Sequence, residues 1–248
     1  MKFLLAALLI ASFSCYGQSA KFSEIKLKSK SDYYTNSESS IIYPIINSGN
    51  KKIDSLINFR VKIDLLFPDD ESQDINDVLA EDINDYGLTD LTYKVTYNGY
   101  GLLSFIVFIE GCGAYCSSSY IYLNFDLKTG KKLEITDLIK EDKIDSFKQI
   151  VFAKKIKTLN QYKMEELNSL KENDIDTATY DWVMKEINSC IEEVNIDNFS
   201  LSSSSLEIMD ICGFPHAIRS QEPDFELKYD YTFLKKFLRP EFKKKLLK

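Results

Sequence analysis

The 248-residue sequence lacks most of the residues and motifs on which catalytic sites depend. It has one histidine, His216, and nine glycines, no two of them adjacent. A single histidine excludes the HExxH class of metal hydrolases, and it leaves His216 as the sole imidazole base for a Ser-His-Asp or Cys-His mechanism. The sequence has no Gly-rich phosphate loop and no GxSxG nucleophile elbow. We therefore assign no catalytic, cofactor-binding or metal-ligating residue from the sequence.

An acidic segment that follows residue 68 matches a calcium-binding loop only in part. Asp70 and Asp74 would be the first and fifth positions, and Glu81 would be the twelfth. Ile75 stands at the sixth position, where the loop needs glycine for its sharp turn. The segment is better explained as the solvated start of a helix, whose unpaired amides favour nearby carboxylates.

Long hydrophobic runs are absent after the first twenty residues. At the N-terminus, a lysine precedes an apolar run from Phe3 to Phe13 and small residues follow, an order typical of a secretory signal. We predict a signal peptide over residues 1–17, and hence an exported protein that is periplasmic or secreted. Lipidation of Cys15 is the alternative, although Ser12 stands where a lipoprotein signal usually has an aliphatic residue. No later run reaches the length that spans a bilayer, so we expect no transmembrane segment.

The formal net charge of −7 restricts the classes of partner. An acidic surface disfavours nucleic acid and anionic lipid, because both carry negative charge. It is compatible with a basic protein. On this ground the expected partner is a basic protein, and the sequence leaves the oligomeric state open.

Four cysteines remain after the predicted cleavage: Cys112, Cys116, Cys190 and Cys212. An even number in an exported chain indicates two disulfides, and four cysteines allow three connectivities. We favour Cys112–Cys116 with Cys190–Cys212, since the first closes a tight loop between two strands and the second ties a helix to a later strand. Cross-pairing of Cys112 with Cys212 and free thiols are the alternatives. No histidine pair or CxxC pair accompanies them, which disfavours zinc.

Hydrophobic patterns predict an α+β fold, with antiparallel sheets, helices packed on one side of them, and two small abutting subdomains. β-Branched and aromatic runs at 102–110 and 120–127 flank a small-residue connection and indicate paired strands. Asn98-Gly99 predicts the turn of the preceding hairpin. Helical spacing predicts helices over 51–66, within 69–85, after 139 and over 177–194, and further strands are predicted over 20–30, 41–46, 91–97, 199–201, 206–211 and 225–231.

Several short motifs follow one another in a family-like order. They are Tyr43-Pro44, Ile57-Asn58, the run from Tyr93 to Asn98, Leu103-Ser104, Gly113-Ala114, and the run from Asn124 to Lys131. Together they resemble the paired extracytoplasmic domains of unknown function in PdaC-type and RsiV-type bacterial proteins. The resemblance implies a PdaC-like N-terminal α+β domain over 18–139 and an RsiV-like C-terminal α+β domain over 140–248.

In those families the domains accompany a peptidoglycan deacetylase or sense lysozyme by binding it. The resemblance therefore implies an exported cell-envelope binding module for a lysozyme-like protein or peptidoglycan. The loop at 111–119 departs from the family at Tyr115 and Cys116, which makes it the expected place for binding specificity. The candidate partner-contacting residues are Tyr115, Ser117, Tyr120 and His216. The alternatives are a carboxylate-dependent hydrolase of envelope polymers that uses His216, and a structural surface lipoprotein.

Overall fold

The computed structural model describes residues 18–28, 40–172, 174–192, 194–223 and 226–247. The predicted signal peptide and Cys15 lie outside these residues. The chain divides into two compact units, Met1–Leu133 and Glu134–Lys248. The division falls slightly before the expected domain boundary at 139/140.

The first unit contains a five-stranded sheet with the order β1-β2-β3-β4-β5. Its strands are β1 (Lys21–Lys28), β2 (Ser40–Asn47), β3 (Leu88–Gly99), β4 (Leu102–Cys112) and β5 (Cys116–Asp126), and its helices are α1 (Lys51–Leu66) and α2 (Ile75–Asn84). The α+β class expected from the sequence is confirmed. One strand pair differs from the antiparallel expectation, because β2 pairs with β3 in parallel. The two helices form the crossover that a parallel pair requires.

Helix α1 begins at Asn50, whose side-chain oxygen accepts hydrogen bonds from the amides of Lys52 and Ile53. Such a cap satisfies amides that have no partner within the helix. Apolar residues at helical spacing then form one buried face of α1. They pack with α2 on one face of the sheet, to which β4 contributes the alternate residues Leu103, Phe105 and Val107.

Two turns differ from their predicted positions. The β3–β4 hairpin turns at Tyr100-Gly101 and not at Asn98-Gly99, since Gly99 still pairs with Leu102. Tyr100 and Gly101 both have positive φ, as a two-residue type I′ turn requires. Asn98 instead bonds through its side-chain amide to the backbone of Ala20.

The β4–β5 hairpin is longer than predicted. Pairing continues without a break from Leu102↔Asp126 to Cys112↔Cys116. The expected small-residue loop at 111–119 is therefore mostly strand, because serines at strand positions allow the ladder to continue to the disulfide. Only residues 113–115 form the tip.

The second unit contains a three-stranded antiparallel sheet, β6 (Phe199–Leu201), β7 (Ser205–Met209) and β8 (Glu226–Asp230). Its helices are α3 (Ile135–Leu138), α4 (Ile144–Lys171), α5 (Thr177–Ile191), α6 (Tyr231–Leu234) and α7 (Pro240–Leu246), with 3-10 turns at Glu141–Lys143 and His216–Gln221. Apolar residues of α4, α5 and the sheet are buried, among them Phe147, Ile187 and Phe199. Within the described part of the chain, no helix combines the length and hydropathy needed to cross a membrane.

Candidate functional site

A cavity of about 360 Å³ opens in the first unit between the end of α1, helix α2 and the sheet. Its carboxylates are Asp69, Glu81 and Asp82. The lining lies entirely among described residues and contains no lysine or arginine, and its other members are Leu66, Phe67, Pro68, Val78, Tyr86, Leu88, Ile109 and Gly111. We call this site the acidic cavity.

The electrostatics of the acidic cavity show an excess of negative charge. Burial and, to a lesser degree, the neighbouring Glu81 carboxylate together raise the pKa of Asp82 to about 6. The carboxylates of Asp69 and Glu81 also raise the pKa of the exposed Tyr86 phenol. Burial accounts for most of the shift at Asp82, whereas the shift at Tyr86 comes first from nearby carboxylates and reports a negative field at the rim. The cavity thus favours a positively charged occupant.

Two aromatic residues stand at the rim of the acidic cavity. Phe67 is 76% exposed and Tyr86 is 64% exposed. Phe67 also has a left-handed backbone, with φ of 45°. That conformation ends helix α1, and the Phe67 amide donates to the Ile63 carbonyl at 3.3 Å. Both aromatic rings are open to solvent at the rim, where they can contact an occupant of the cavity.

The carboxylates, the aromatic rim and the apolar floor of the cavity suit an alkyl ammonium or guanidinium group. Carboxylates form charge-assisted hydrogen bonds to such a cation, and exposed aromatic faces add cation–π attraction. The floor includes the buried side chains of Leu66, Val78 and Leu88. An apolar floor packs against the methylene stem of a lysine or arginine side chain.

The acidic cavity is joined to the tip of the β4–β5 hairpin. The amide of Cys112 donates to the carbonyl of Gly87 at 2.8 Å. Gly87 has φ of +73°, and a Cβ there would lie 2.2 Å from the Cys112 carbonyl oxygen. Only glycine permits this close approach. Gly111 lines the cavity directly, and its neighbour Cys112 forms the disulfide that closes the hairpin.

The predicted partner-contacting residues do not form a single loop. Tyr115 lies at the hairpin tip and is 64% exposed, whereas Ser117 and Tyr120 lie on β5. The Tyr120 ring packs against Phe108 of β4, with 5.4 Å between ring centroids. His216 belongs to the second unit, where it begins an exposed 3-10 turn.

A second cavity, of about 540 Å³, lies within the second unit. Its lining includes Lys155 of α4 and Asp210, which follows β7. The Lys155 Nζ and the Asp210 carboxylate lie 2.7 Å apart, and both side chains are at least 95% buried. We call this site the paired-charge cavity. These two buried charges compensate each other, which indicates a structural role for the pair, and the rest of the lining adds Lys148, Glu192 and Asp197.

The structure contains the two disulfides that the sequence favoured. Cys112–Cys116 closes the β4–β5 hairpin, and Cys190–Cys212 ties the end of α5 to the segment after β7 in the wall of the paired-charge cavity. Two disulfides indicate an oxidising, extracytoplasmic environment. Among the described residues, no group of three His, Cys, Asp or Glu side chains is arranged to hold a metal ion.

The sequence interpretation missed the acidic cavity, because it treated the acidic segment as a solvated helix start. A usable signal was present in Phe67 and Tyr86, which flank that segment at its two ends. Aromatic residues beside turn residues are poorly explained by solubility. Their approach to one another, however, depends on how α2 folds back on α1.

Comparisons with solved structures show the fold. The chain is similar to a DUF3298 family protein from Bacteroides fragilis NCTC 9343, with a TM-score of 0.58, 14% identity, and coverage of 91% of this chain and 96% of that one. It is also similar to a DUF3298 family protein from Pseudomonas aeruginosa PAO1, with a TM-score of 0.52, 13% identity, and coverage of 90% and 95%. No family model and no curated protein matches the sequence. At these identities the likeness concerns the fold alone.

Proposed function

We propose that this chain is an exported binding module that recognises a basic protein of the cell envelope or its surroundings. The observation that carries the proposal is the acidic cavity. Its lining combines the carboxylates of Asp69, Glu81 and Asp82 with two exposed aromatic side chains at the rim, and it contains no lysine or arginine. A lysine or arginine side chain of the partner would enter this cavity. The net charge of −7 adds long-range attraction for such a partner.

The resemblance to PdaC-type and RsiV-type domains supports a cell-envelope setting and a lysozyme-like partner. The described disulfides support an extracytoplasmic location, and the N-terminal sequence supports export. The DUF3298 fold of the solved structures is compatible with a domain of this kind, but it adds nothing on specificity.

Calorimetric titration of the mature protein with lysozyme, and separately with soluble peptidoglycan fragments, tests the proposal. We expect lysozyme to bind, and binding to weaken as salt is added, because ion pairs at a protein surface are screened. The variant Asp69→Asn/Glu81→Gln/Asp82→Asn should lose at least about tenfold in affinity, which corresponds to about 1.4 kcal/mol.

The matched control removes three exposed carboxylates from the second unit: Glu172→Gln, Asp174→Asn and Asp181→Asn. It has the same net charge as the cavity variant, so it should keep its affinity within about twofold if the cavity is the binding site. If both variants lose affinity equally, the loss is due to net charge alone, and the result contradicts a specific binding site. Absence of lysozyme binding would remove the basic-protein partner, and binding of the glycan alone would assign the glycan.

A carboxylate-dependent hydrolase is the second candidate, and one observation favours it. A carboxyl group with a pKa of about 6, such as that of Asp82, holds a proton in the range where a general acid works. Turnover of a muropeptide panel that is present in the native protein and lost in Asp82→Asn would support this candidate. Turnover that is lost in His216→Ala would instead support the histidine-based mechanism.

A further inference from the structure

The five-stranded sheet of the first unit has two edges, β1 and β5, and they differ in how they discourage pairing with another strand. Strand β1 carries charged side chains along its length, including Glu24, Lys26 and Lys28. Charged residues on an edge strand oppose the addition of a further strand. The first half of β5, at 117–121, is Ser-Ser-Ser-Tyr-Ile and has no charge. This half lacks the usual protection of an edge.

The backbone groups that face outward on β5 can be identified by alternation. In the second half of the strand, Asp126 donates to the carbonyl of Lys131 at 3.0 Å, and the Asn124 carbonyl accepts from Leu133 at 2.7 Å. These even-numbered residues therefore point their backbone groups away from β4. The β4–β5 register has no shift, so the same holds for Ser118 and Tyr120. Both are exposed, and no described strand pairs with them.

The side chains beside this open edge have a defined chemistry. Ser118 lies opposite Glu110, which lies opposite Asp90, so the row ends in two carboxylates. Burial, and after it the neighbouring Glu110 carboxylate, raises the pKa of Asp90. Two residues further along β5, Tyr120 lies opposite Phe108 and forms an aromatic row on the same face.

An added strand would continue both rows. The added residue opposite Ser118 would lie two strand spacings, roughly 9–10 Å, from Glu110. If that residue is a lysine, its side chain and that of Glu110 can together cover this distance, because the serine between them is small. The added residue two positions along would pack against Tyr120. Side chains two apart on a strand share a face, so one short segment can supply both contacts.

We propose that the open half of β5, residues 117–121, accepts an extended segment of a partner polypeptide as a sixth strand. The segment carries a basic residue and, two positions away on the same face, an aromatic or aliphatic residue. Main-chain hydrogen bonds to Ser118 and Tyr120 provide affinity, and the two rows provide selectivity. This inference rests on the edge and not on the acidic cavity, so it stands or falls separately from the proposed function.

Amide hydrogen exchange of the full mature chain, followed by NMR, tests the edge itself. In the free protein the amides of Ser118 and Tyr120 should exchange at least about a hundredfold faster than those of Ser117 and Ser119, because only the latter bond to β4. Equal protection of all four amides would show that the edge is already covered and would overturn the proposal. Protection that rises with protein concentration, together with a dimer in sedimentation, would assign the edge to a second copy and also overturn it.

The partner is tested with a capped octapeptide, Thr-Val-Thr-Lys-Thr-Tyr-Thr-Val, and a second peptide in which glutamate replaces the lysine. The lysine peptide should slow exchange at Ser118 and Tyr120 and bind at least about fivefold more tightly than the glutamate peptide. The variant Ser118→Lys should reverse that preference, because it places a cation in the carboxylate row. Ser119→Lys carries the same charge on the opposite face and should keep the preference.

Failure of the lysine peptide to alter exchange at Ser118 and Tyr120 at millimolar concentration would overturn the proposal. So would an unchanged preference in Ser118→Lys. In either case the binding of lysozyme, which is measured with the cavity variant, would be unaffected and the proposed function would stand.

Discussion

Each compact unit has a disulfide beside a cavity, and the two cavities differ in how their charges are balanced. In the first unit, Asp69, Glu81 and Asp82 line the acidic cavity without a cation among the lining residues. In the second unit, the floor of the paired-charge cavity holds Lys155 and Asp210 at 2.7 Å from each other. Charge of one sign is thus partly solvated at one site, whereas charge of both signs is buried at the other.

The difference separates a candidate binding site from a structural one. Burial of a charge is tolerated when a partner compensates it, and removal of one partner then destabilises the fold. Uncompensated charge at a cavity has no such structural use, since it makes the folded state less stable. It is expected where a ligand supplies the opposite charge. Charge removal should therefore have opposite effects on stability in the two units.

The largest effect is expected from Lys155→Met, which leaves the Asp210 carboxylate buried without its ammonium partner. We expect the second unit to lose about 3–5 kcal/mol of unfolding free energy. The single tryptophan, Trp182, lies on α5 of this unit, so its fluorescence during urea unfolding reports on the unit itself.

Two further variants control this measurement. Lys148→Met removes an exposed lysine from the same helix and the same cavity, and it should change stability by no more than about 0.5 kcal/mol. Lys155→Met/Asp210→Leu removes both charges and should recover most of the loss. If Lys155→Met is as stable as the native protein, the Lys155–Asp210 pair is solvated, and the two cavities do not differ in charge burial.

The second effect concerns the disulfides. Cys190–Cys212 joins residues 22 apart and Cys112–Cys116 joins residues 4 apart. In the chain-entropy account, the longer loop stabilises by about 3 kcal/mol and the shorter by about 2 kcal/mol. We therefore expect Cys190→Ala/Cys212→Ala to lower stability more than Cys112→Ala/Cys116→Ala. Urea unfolding measures the first by Trp182 fluorescence and the second by far-UV circular dichroism.

The shorter disulfide has a local effect that distinguishes it from a global staple. Its loss should speed amide exchange at the hairpin tip more than in the core strand residue Phe105, because the tip has few other contacts. Equal acceleration at both places would show that the hairpin disulfide stabilises the whole unit.

Much of this architecture could be predicted from local patterns. The α+β class, helix α1 and the disulfide pairing follow from periodicity and cysteine spacing, because these signals depend on near neighbours in sequence. The extent of β5 could not be predicted, since Ser117, Ser118 and Ser119 become a strand only through pairing with β4. The turn at Tyr100-Gly101 was missed for a similar reason, because Asn98 is held by Ala20, which lies just before β1 and is distant in the sequence.

The candidate sites depend even more on distant contacts. The acidic cavity forms only when α2 brings Asp82 near two other parts of the chain, the residues that follow α1 and the residues of β4. The ion pair joins Lys155 to Asp210, and the sequence around each residue does not indicate that it has a partner. Sequence patterns identify which elements form, and the sites arise from where those elements meet.

The smallest effect on stability is expected from Asp82→Asn, which should stabilise the protein where the other variants destabilise it. Asp82 has a pKa of about 6 against an ordinary value of 3.8, so between these values the folded state binds more protons than the unfolded state. Its contribution therefore favours folding at low pH and is lost as pH rises through about 6. Replacement by asparagine removes this loss. Asp82 is only half buried, so solvent screening limits the gain for the first unit to about 1 kcal/mol or less at pH 7.5, with little difference at pH 4.

Thermal unfolding of native and variant proteins at the two pH values, followed by far-UV circular dichroism, measures this gain. Asp77→Asn is the control, because Asp77 is exposed on the same helix, lies in its first turn and is not part of the cavity lining. It should lose a few tenths of a kcal/mol at pH 7.5, since a carboxylate in the first turn favours the helix. If Asp82→Asn destabilises the protein as well, the carboxylate has a structural partner. The acidic cavity would then belong with the paired-charge cavity, as part of the scaffold and not as a binding site.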